Sequence, residues 1–318
     1  MGDSTQARAH VRRQIGEFLT TRRAGLHPAQ AGLAPGRNRR VKGLRREEVA
    51  ALAGISVEYY VRLERGQATG ASDGVLEGVG RALRFGDDER AHLTDLLRSG
   101  SGVHPCRLLP SPSTVRPAVR RILDSMTATP ALVLNGRLEI AGANDLGRAL
   151  YGPLTGPPEK PVGWPESIAL STFSDPGART FWRDWPAVAT GVVNHLRAQA
   201  GRNPCDHVLT GLVDDLCSRS EVFRDLWARH EVRVPRAGLH RVRHPVAGDL
   251  DLPFESAPLD PGLTLLMYSA EPGTASDAAL RRLASPPARR ACRPEPAGRS
   301  RTAAPPAPGG TPRTPTPG

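Results

Sequence analysis

The sequence predicts a multidomain α + (α+β) chain: an all-helical head, an α+β middle with one antiparallel sheet, and a disordered C-terminal tail. Three observations lead there. Apolar residues recur every three to four positions through the first hundred residues, the period of helices with one buried face. At 130–144 the segment PALVLNGRLEIAGAN sets two short apolar runs around Asn135-Gly136, a strong hairpin signal. Residues 285–318 hold ten prolines and, apart from Cys292, no apolar side chain larger than alanine, too little to offset the entropy of ordering.

In the head, spacing predicts helices near 9–24, 45–53, 56–65, 72–84 and 87–98, with Ser72 and Asp87 as N-caps. Gly78 and Gly80 fall inside the fourth helix, at about 1 kcal/mol each relative to Ala. The stretch at 99–114, SGSGVHPCRLLPSPST, reads as a linker between a head at 1–98 and a middle domain at 115–284. In the middle, the hairpin is followed by helical patterns near 184–200, 206–217 and 220–229. Strand-like stretches then come at 231–235, 239–244, 247–256 and 263–269, and a last helix near 275–284. Hairpin, helices and an antiparallel run together give one sheet with helices against it.

Charge is unevenly placed. Residues 1–98 hold 17 Arg and Lys against 12 Asp and Glu, residues 99–283 hold 20 against 19, and residues 284–318 hold 6 against 1. A basic head and a neutral middle assign a polyanionic partner to the head. The arginine bias itself says little, since a GC-rich genome also produces it. The longest apolar runs, such as LTLLMY at 263–268, are too short to cross a bilayer, and the N-terminus lacks the apolar core of a secretory signal. Four cysteines without a framework spacing read as reduced thiols. The expectation is a cytoplasmic, nucleoid-associated protein that does not engage a membrane.

The head turns on residues 43–66, GLRREEVAALAGISVEYYVRLERG. Val49 and Ala53 share one helix face, as Tyr60 and Leu63 share a face of the next. Ala50 suits a close helix crossing, and Ile55 fills the corner between the helices. Gly54 supplies the left-handed backbone of a tight turn, and the Ser56 hydroxyl caps the second helix. This is a helix-turn-helix. Its second helix turns Val57, Glu58, Val61 and Arg62 outward. In a major groove Arg62 suits guanine, Glu58 a cytosine amine and the valines thymine methyls. Tyr59, Arg45, Arg46 and Arg65 are placed for phosphate contacts, and Ser56, at the cap, counts with the DNA-binding residues. A surface ion pair between Glu58 and Arg62 is the structural alternative.

EEVAALAGISVEYYVRLERG resembles the Cro/C1-type (XRE) repressor helix-turn-helix. The wider GLAPGRNRRVKGLRREEVAALAGISVEYYVRLERG is similar to the MmyB-like branch of actinobacterial regulators. In that branch a basic loop precedes the motif, here Arg37, Arg39, Arg40 and Lys42; beside a DNA-reading motif such a run suits backbone contacts, and a loop charged for solubility is the alternative. In the middle, TPALVLNGRLEIAGAND, FSDPGARTFWRDW, LRAQAGRNP, SEVFRDLWARHEVR, RHPVAGDLDL and MYSAEPG resemble the MmyB-like ligand-binding domain. That resemblance implies a PAS-like fold around a fatty-acid-shaped pocket.

A fatty acid needs an apolar tunnel and a group to hold its carboxylate, for which an arginine fork is suited. Arg197, among apolar neighbours in VVNHLRAQAG, is the first candidate; Asn144, His230 and Arg243 follow. Alternatively Arg197 pairs with Asp184 or Asp214 and is structural, and Trp182, Trp185 and Trp227 read as core. No nucleophile elbow, phosphate loop or dinucleotide fingerprint occurs. Cys205-x-His207 and His240-x3-His244 are too sparse for a metal centre, so neither enzyme activity, metal nor cofactor is expected. The reading is a DNA-binding transcriptional regulator, homodimeric on double-stranded DNA and responsive to a fatty-acid-like ligand. The alternative is a regulator whose middle domain binds a protein partner instead.

Overall fold

The computed structural model describes residues 2–34, 41–68, 70–100, 114–154, 167–259 and 262–284. The predicted tail, most of the predicted linker, and Arg37, Arg39 and Arg40 lie outside them. Five helices form the head: α1 (Gly2–Gly25), α2 (Arg46–Ala53), α3 (Val57–Glu64), α4 (Asp73–Ala82) and α5 (Asp87–Gly100). Val11, Ile15 and Phe18 of α1 meet Val49, Tyr60, Leu63, Val79 and Leu93 in a single core.

Local sequence explains the corner between α2 and α3. Gly54 ends α2 at φ +70°, and its N–H returns to the Ala50 and Ala51 carbonyls. Ser56 Oγ then accepts from Tyr59 N at 3.1 Å, capping α3. Ala50 is buried where α2 is crossed. Gly78 has a packing reason that its cost in helix propensity hides: a Cβ there would lie 2.5 Å from the Ala53 carbonyl oxygen, so glycine lets α4 approach α2. The expected caps differ in detail. Ser72 precedes α4 without a side-chain cap bond. Asp87 is already the first residue of α5, and Glu89 reaches back to the Gly86 N–H at 2.9 Å.

The α+β region runs α6 (Pro117–Ser125), β1 (Ala131–Asn135), β2 (Ile140–Ala143), α7 (Asp145–Tyr151), α8 (Ile168–Ser174), α9 (Ala178–Phe181), α10 (Trp185–Arg202), α11 (His207–Arg219) and α12 (Glu221–Ala228). Then come β3 (Ala237–His244), β4 (Gly248–Leu259), β5 (Leu263–Tyr268) and α13 (Ala275–Ala284). The strands form one antiparallel five-stranded sheet in the order β2-β1-β5-β4-β3, with helices inserted between β2 and β3 in the PAS-like manner. Strand β1 is buried on both faces: Leu132 and Leu134 join the main core, Ala131 and Val133 a smaller one under α6 with Leu123.

Helices α6 to α9 are not among the sequence expectations. They are nine residues or fewer, so each offers too few turns for a periodic signal. The strand expected at 231–235 is an extended segment outside the sheet. Cys205, expected as a thiol, is disulfide-bonded, whereas Cys217 is free; scatter along a sequence says nothing about proximity in space.

Head and α+β region pack into one compact unit. Ala198 of α10 and Val232 are buried in the head core. Across the seam Arg202 pairs with Asp95 at 3.1 Å, and Ser99 Oγ donates to the Gly201 carbonyl at 3.3 Å. His92 is buried there, edge-on to Phe18; burial, then the neighbouring Arg197, pushes its pKa down to about 3.

Candidate functional sites: a reading helix and an apolar cavity

Helix α3 carries its exposed residues as the spacing requires. Val57, Glu58 and Arg62 face solvent and Val61 is half-buried, while Tyr60 and Leu63 anchor the opposite face. Tyr59 is half-buried against the head core, so only part of it faces outward. Lys42, Arg45 and Arg65 are exposed. Arg46 differs from the expectation of a side chain reserved for phosphate, because its guanidinium is tied to Glu64.

Glu64 is the group that sequence reasoning missed. It is the buried last residue of α3 and also accepts from Arg23 Nε at 2.8 Å and from Thr20 Oγ at 3.1 Å. Arg23 in turn donates to the Leu44 carbonyl at 3.0 Å. One carboxylate thus joins α1, α2 and α3. Burial pushes its pKa up, but the hydrogen bonds from Arg46 and Arg23 outweigh this and hold it below the ordinary carboxylate value. Helix α3 is therefore fixed in angle by an ionic clamp as well as by apolar packing.

The second site is a cavity of about 550 Å³ between the sheet and α10, within the range of small-molecule sites. Leu134, Ile168, Val188, Val192, Phe254 and Leu266 supply much of its apolar lining. Trp182, expected as core, is both core and cavity wall, 1% exposed. Uncharged polar residues at the wall include Tyr151, Asn194, His195 and His240. Tyr151 and Tyr268 share a hydrogen bond, and Tyr268 Oη lies 2.9 Å from His240 Nδ1. Burial pushes the His240 pKa down to about 4. His195 is likewise pushed down to about 4 by burial and then by Arg202, so its ring is neutral at pH 7. Trp182 Nε1 and His195 Nε2 are buried without hydrogen-bond partners. Charged residues among its lining are Asp184, Arg233 and Arg241.

None of the four ligand candidates from the sequence lines this cavity. The Asn144 amide is spent on the fold: Oδ1 accepts from Ala131 N and Gly147 N, and Nδ2 donates to the Met126 and Thr129 carbonyls. Arg243 is exposed on β3 and pairs with Asp249 directly opposite on β4, at 3.0 Å. Arg197 and His230 come together instead at a separate cleft of about 470 Å³ between α1 and the end of α12, beside Gln14 and Glu17. Arg197 pairs with neither Asp184 nor Asp214. It contacts His230 Nδ1 at 2.9 Å, donates to the Trp227 carbonyl, and lies 4.0 Å over the Trp227 ring. Of the sparse metal pattern, His240 faces Tyr268, and His244 is held between the Ala149 carbonyl and the Val246 and Ala247 N–H groups.

Among the described residues no helix is long and apolar enough to cross a membrane. Residues 14–93 match the family model of a helix-turn-helix domain. Residues 115–283 match the family model described as the MmyB-like transcription regulator ligand binding domain. No curated protein matches the chain.

Proposed function

The chain belongs to the MmyB-like transcription regulators, and we propose that it is a cytoplasmic homodimer that reads a specific DNA site and responds to a fatty-acid-like ligand. The DNA-binding regulator follows from the family. The site specificity, the dimer, the location and the ligand are the proposal. Val57, Glu58, Val61 and Arg62 meet base edges, with Arg62 the principal reader. Ser56, Tyr59, Lys42, Arg45, Arg46 and Arg65 serve the phosphates, as does the basic loop of Arg37, Arg39 and Arg40. A dimer supplies the second half-site that one short reading helix needs for specificity.

The observation that carries the ligand reading is the cavity under α10, about 550 Å³ and largely apolar in its lining, whose charged residues Asp184, Arg233 and Arg241 are solvent-exposed or half-exposed. Each buried methylene of a chain placed there contributes about 0.8 kcal/mol. Solvent extraction of the purified protein followed by mass spectrometry tests it, with addition of palmitate to delipidated protein as the second arm. Recovery or binding of a long-chain acid is expected. If the cavity takes up no apolar chain, the α+β region acts through a protein partner instead.

A further inference from the structure

The segment from Glu231 to Arg236 belongs to two places at once. Val232 is 4% exposed in the core of the helix-turn-helix head. The Val234 N–H donates at 3.0 Å to Asp88 Oδ2, in the first turn of α5. Arg233 and Pro235 line the apolar cavity. At its far end the Arg236 carbonyl accepts from both the N–H and the hydroxyl of Ser256, itself a cavity residue on β4. The near end is fixed as well. His230 sits at φ +51°, a left-handed conformation costly for a residue other than glycine, and Arg197 contacts it. The strap is pinned at both ends, packed into the head on one side and open to the cavity on the other.

The charges at the cavity mouth are not equivalent. Arg241 is matched by Asp184 at 2.8 Å. Arg233 is exposed and makes no hydrogen bond or ion pair among the described residues. It also borders a small pocket on the head lined by Arg22, Asp87, Asp88, Glu89 and Glu231. Both cations of the cavity lining, Arg233 and Arg241, are exposed residues, and a carboxylate buried away from them without a partner carries a heavy desolvation cost. An anionic head group must therefore remain at the mouth, where Arg233 is the unmatched cation.

We infer that Arg233 receives the anionic end of an apolar acid whose tail fills the cavity, and that the strap Glu231–Arg236 carries this occupancy to the DNA-binding head. The inference rests on the ligand reading above and adds the orientation of the ligand, the residue that selects an acid, and the route of coupling. A ligand carboxylate at the mouth draws the Arg233 side chain away from the acidic pocket on the head. Because Val232 and Val234 flank Arg233, a movement of that residue is applied directly to the packing and hydrogen bonding of α5.

Binding of palmitate and of cetyl alcohol to the full chain tests the first part. Arg233→Ala is expected to weaken palmitate about tenfold and cetyl alcohol less than twofold, since the alcohol has no charge for the guanidinium to meet. Equal losses for the two probes, or none, would overturn the role of Arg233 while leaving the cavity as an apolar-chain site. If the wild-type chain bound neither probe, the ligand reading and this inference would fall together. For the second part, DNA affinity is measured with and without saturating palmitate. The wild type is expected to change at least fivefold, and Asp88→Ala, which removes the exposed acceptor of the Val234 N–H, less than twofold. An unaltered response in Asp88→Ala, or no response in the wild type despite bound palmitate, would refute the strap as the route.

Discussion

Arg197 Nη1 lies 2.9 Å from His230 Nδ1, and this contact joins the middle of α10 to the residue at which the chain leaves α12. Burial pushes the guanidinium pKa down to about 10, so the side chain remains charged at neutral pH. Its π-face lies on Trp227, and Glu17 of α1 lies 3.9 Å from the far nitrogen of His230. An arginine on an apolar helix can mark a ligand anchor or a structural tie. Here both Nη groups go to the end of α12, while Nε is buried without a partner among the described residues.

Arg197→Ala is therefore expected to destabilise the fold by about 2–4 kcal/mol, through the cavity left, the lost cation–π contact and the vacated Trp227 carbonyl. The ratio of palmitate to cetyl alcohol affinity should not change, because the residue does not line the apolar cavity. Denaturant unfolding gives the first quantity and ligand titration the second. A selective loss of palmitate would return Arg197 to the ligand site.

Glu64→Gln is expected to cost about 2–4 kcal/mol, since it removes the charge that Arg23 and Arg46 share. Half-exposed Arg46 can turn to water, which keeps the cost toward the lower end. The folded-state pKa of Glu64 is held below its unfolded value, so its contribution is present above about 4.5 and is lost as pH falls through the folded value. Unfolding free energies of wild type and variant should converge under acid. A difference independent of pH would mean that shape, not charge, holds α1 to α3.

Much of the head was legible because its signals are local. Gly54, Ser56 and the apolar residues around them all lie between Val49 and Leu63, and each has one structural use. Glu64 was not legible: inside LERG it looks like a surface charge, and its partners Arg23 and Arg46 come from other helices. Gly78 looked like a defect because the Ala53 carbonyl that requires it is 25 positions away in sequence. The strap shows a different limit. In EVRVP the alternation of Val232 and Val234 is real, but it records a chain docked on the head rather than a strand in the sheet. The hairpin signal at Asn135-Gly136 located β1 and β2, while the cavity required the whole sheet to be assembled first.

Acid sensitivity should extend above the carboxylate range. His92 has a folded pKa near 3, and His195 and His240 near 4, against an ordinary 6.5. Between those values the unfolded chain binds more protons, so stability is full above about 6.5 and declines as pH falls. Each group contributes about 1.4 kcal/mol per pH unit until its folded pKa is reached. Thermal unfolding at pH 7 and pH 5 should show a clear drop in Tm. His92→Gln should flatten the slope by about one group's share. An equal Tm at the two pH values would show that these imidazoles are not buried neutral.

DNA reading separates Arg62 from Arg45. Arg62 projects from the exposed side of α3, whose opposite side is held by Tyr60, Leu63 and the Glu64 clamp. Its loss should therefore remove a base contact without tilting the helix. Arg62→Ala is expected to cost roughly 1–3 kcal/mol on the best site and to relax preference at one base position. Arg45 lies at the start of α2, where its N–H already donates to Glu48 and its side chain is exposed. Arg45→Ala should weaken all duplexes by a similar factor and lower the salt dependence by about one counterion. Arg46→Ala should do both less and more: a smaller loss of phosphate contact, because Glu64 already holds that guanidinium, and a measurable loss of head stability. Selection of binding sites from a random duplex pool, repeated with each variant, distinguishes the three. If Arg62→Ala selected the same sequence as the wild type, base recognition would have to be reassigned to Glu58 and the two valines.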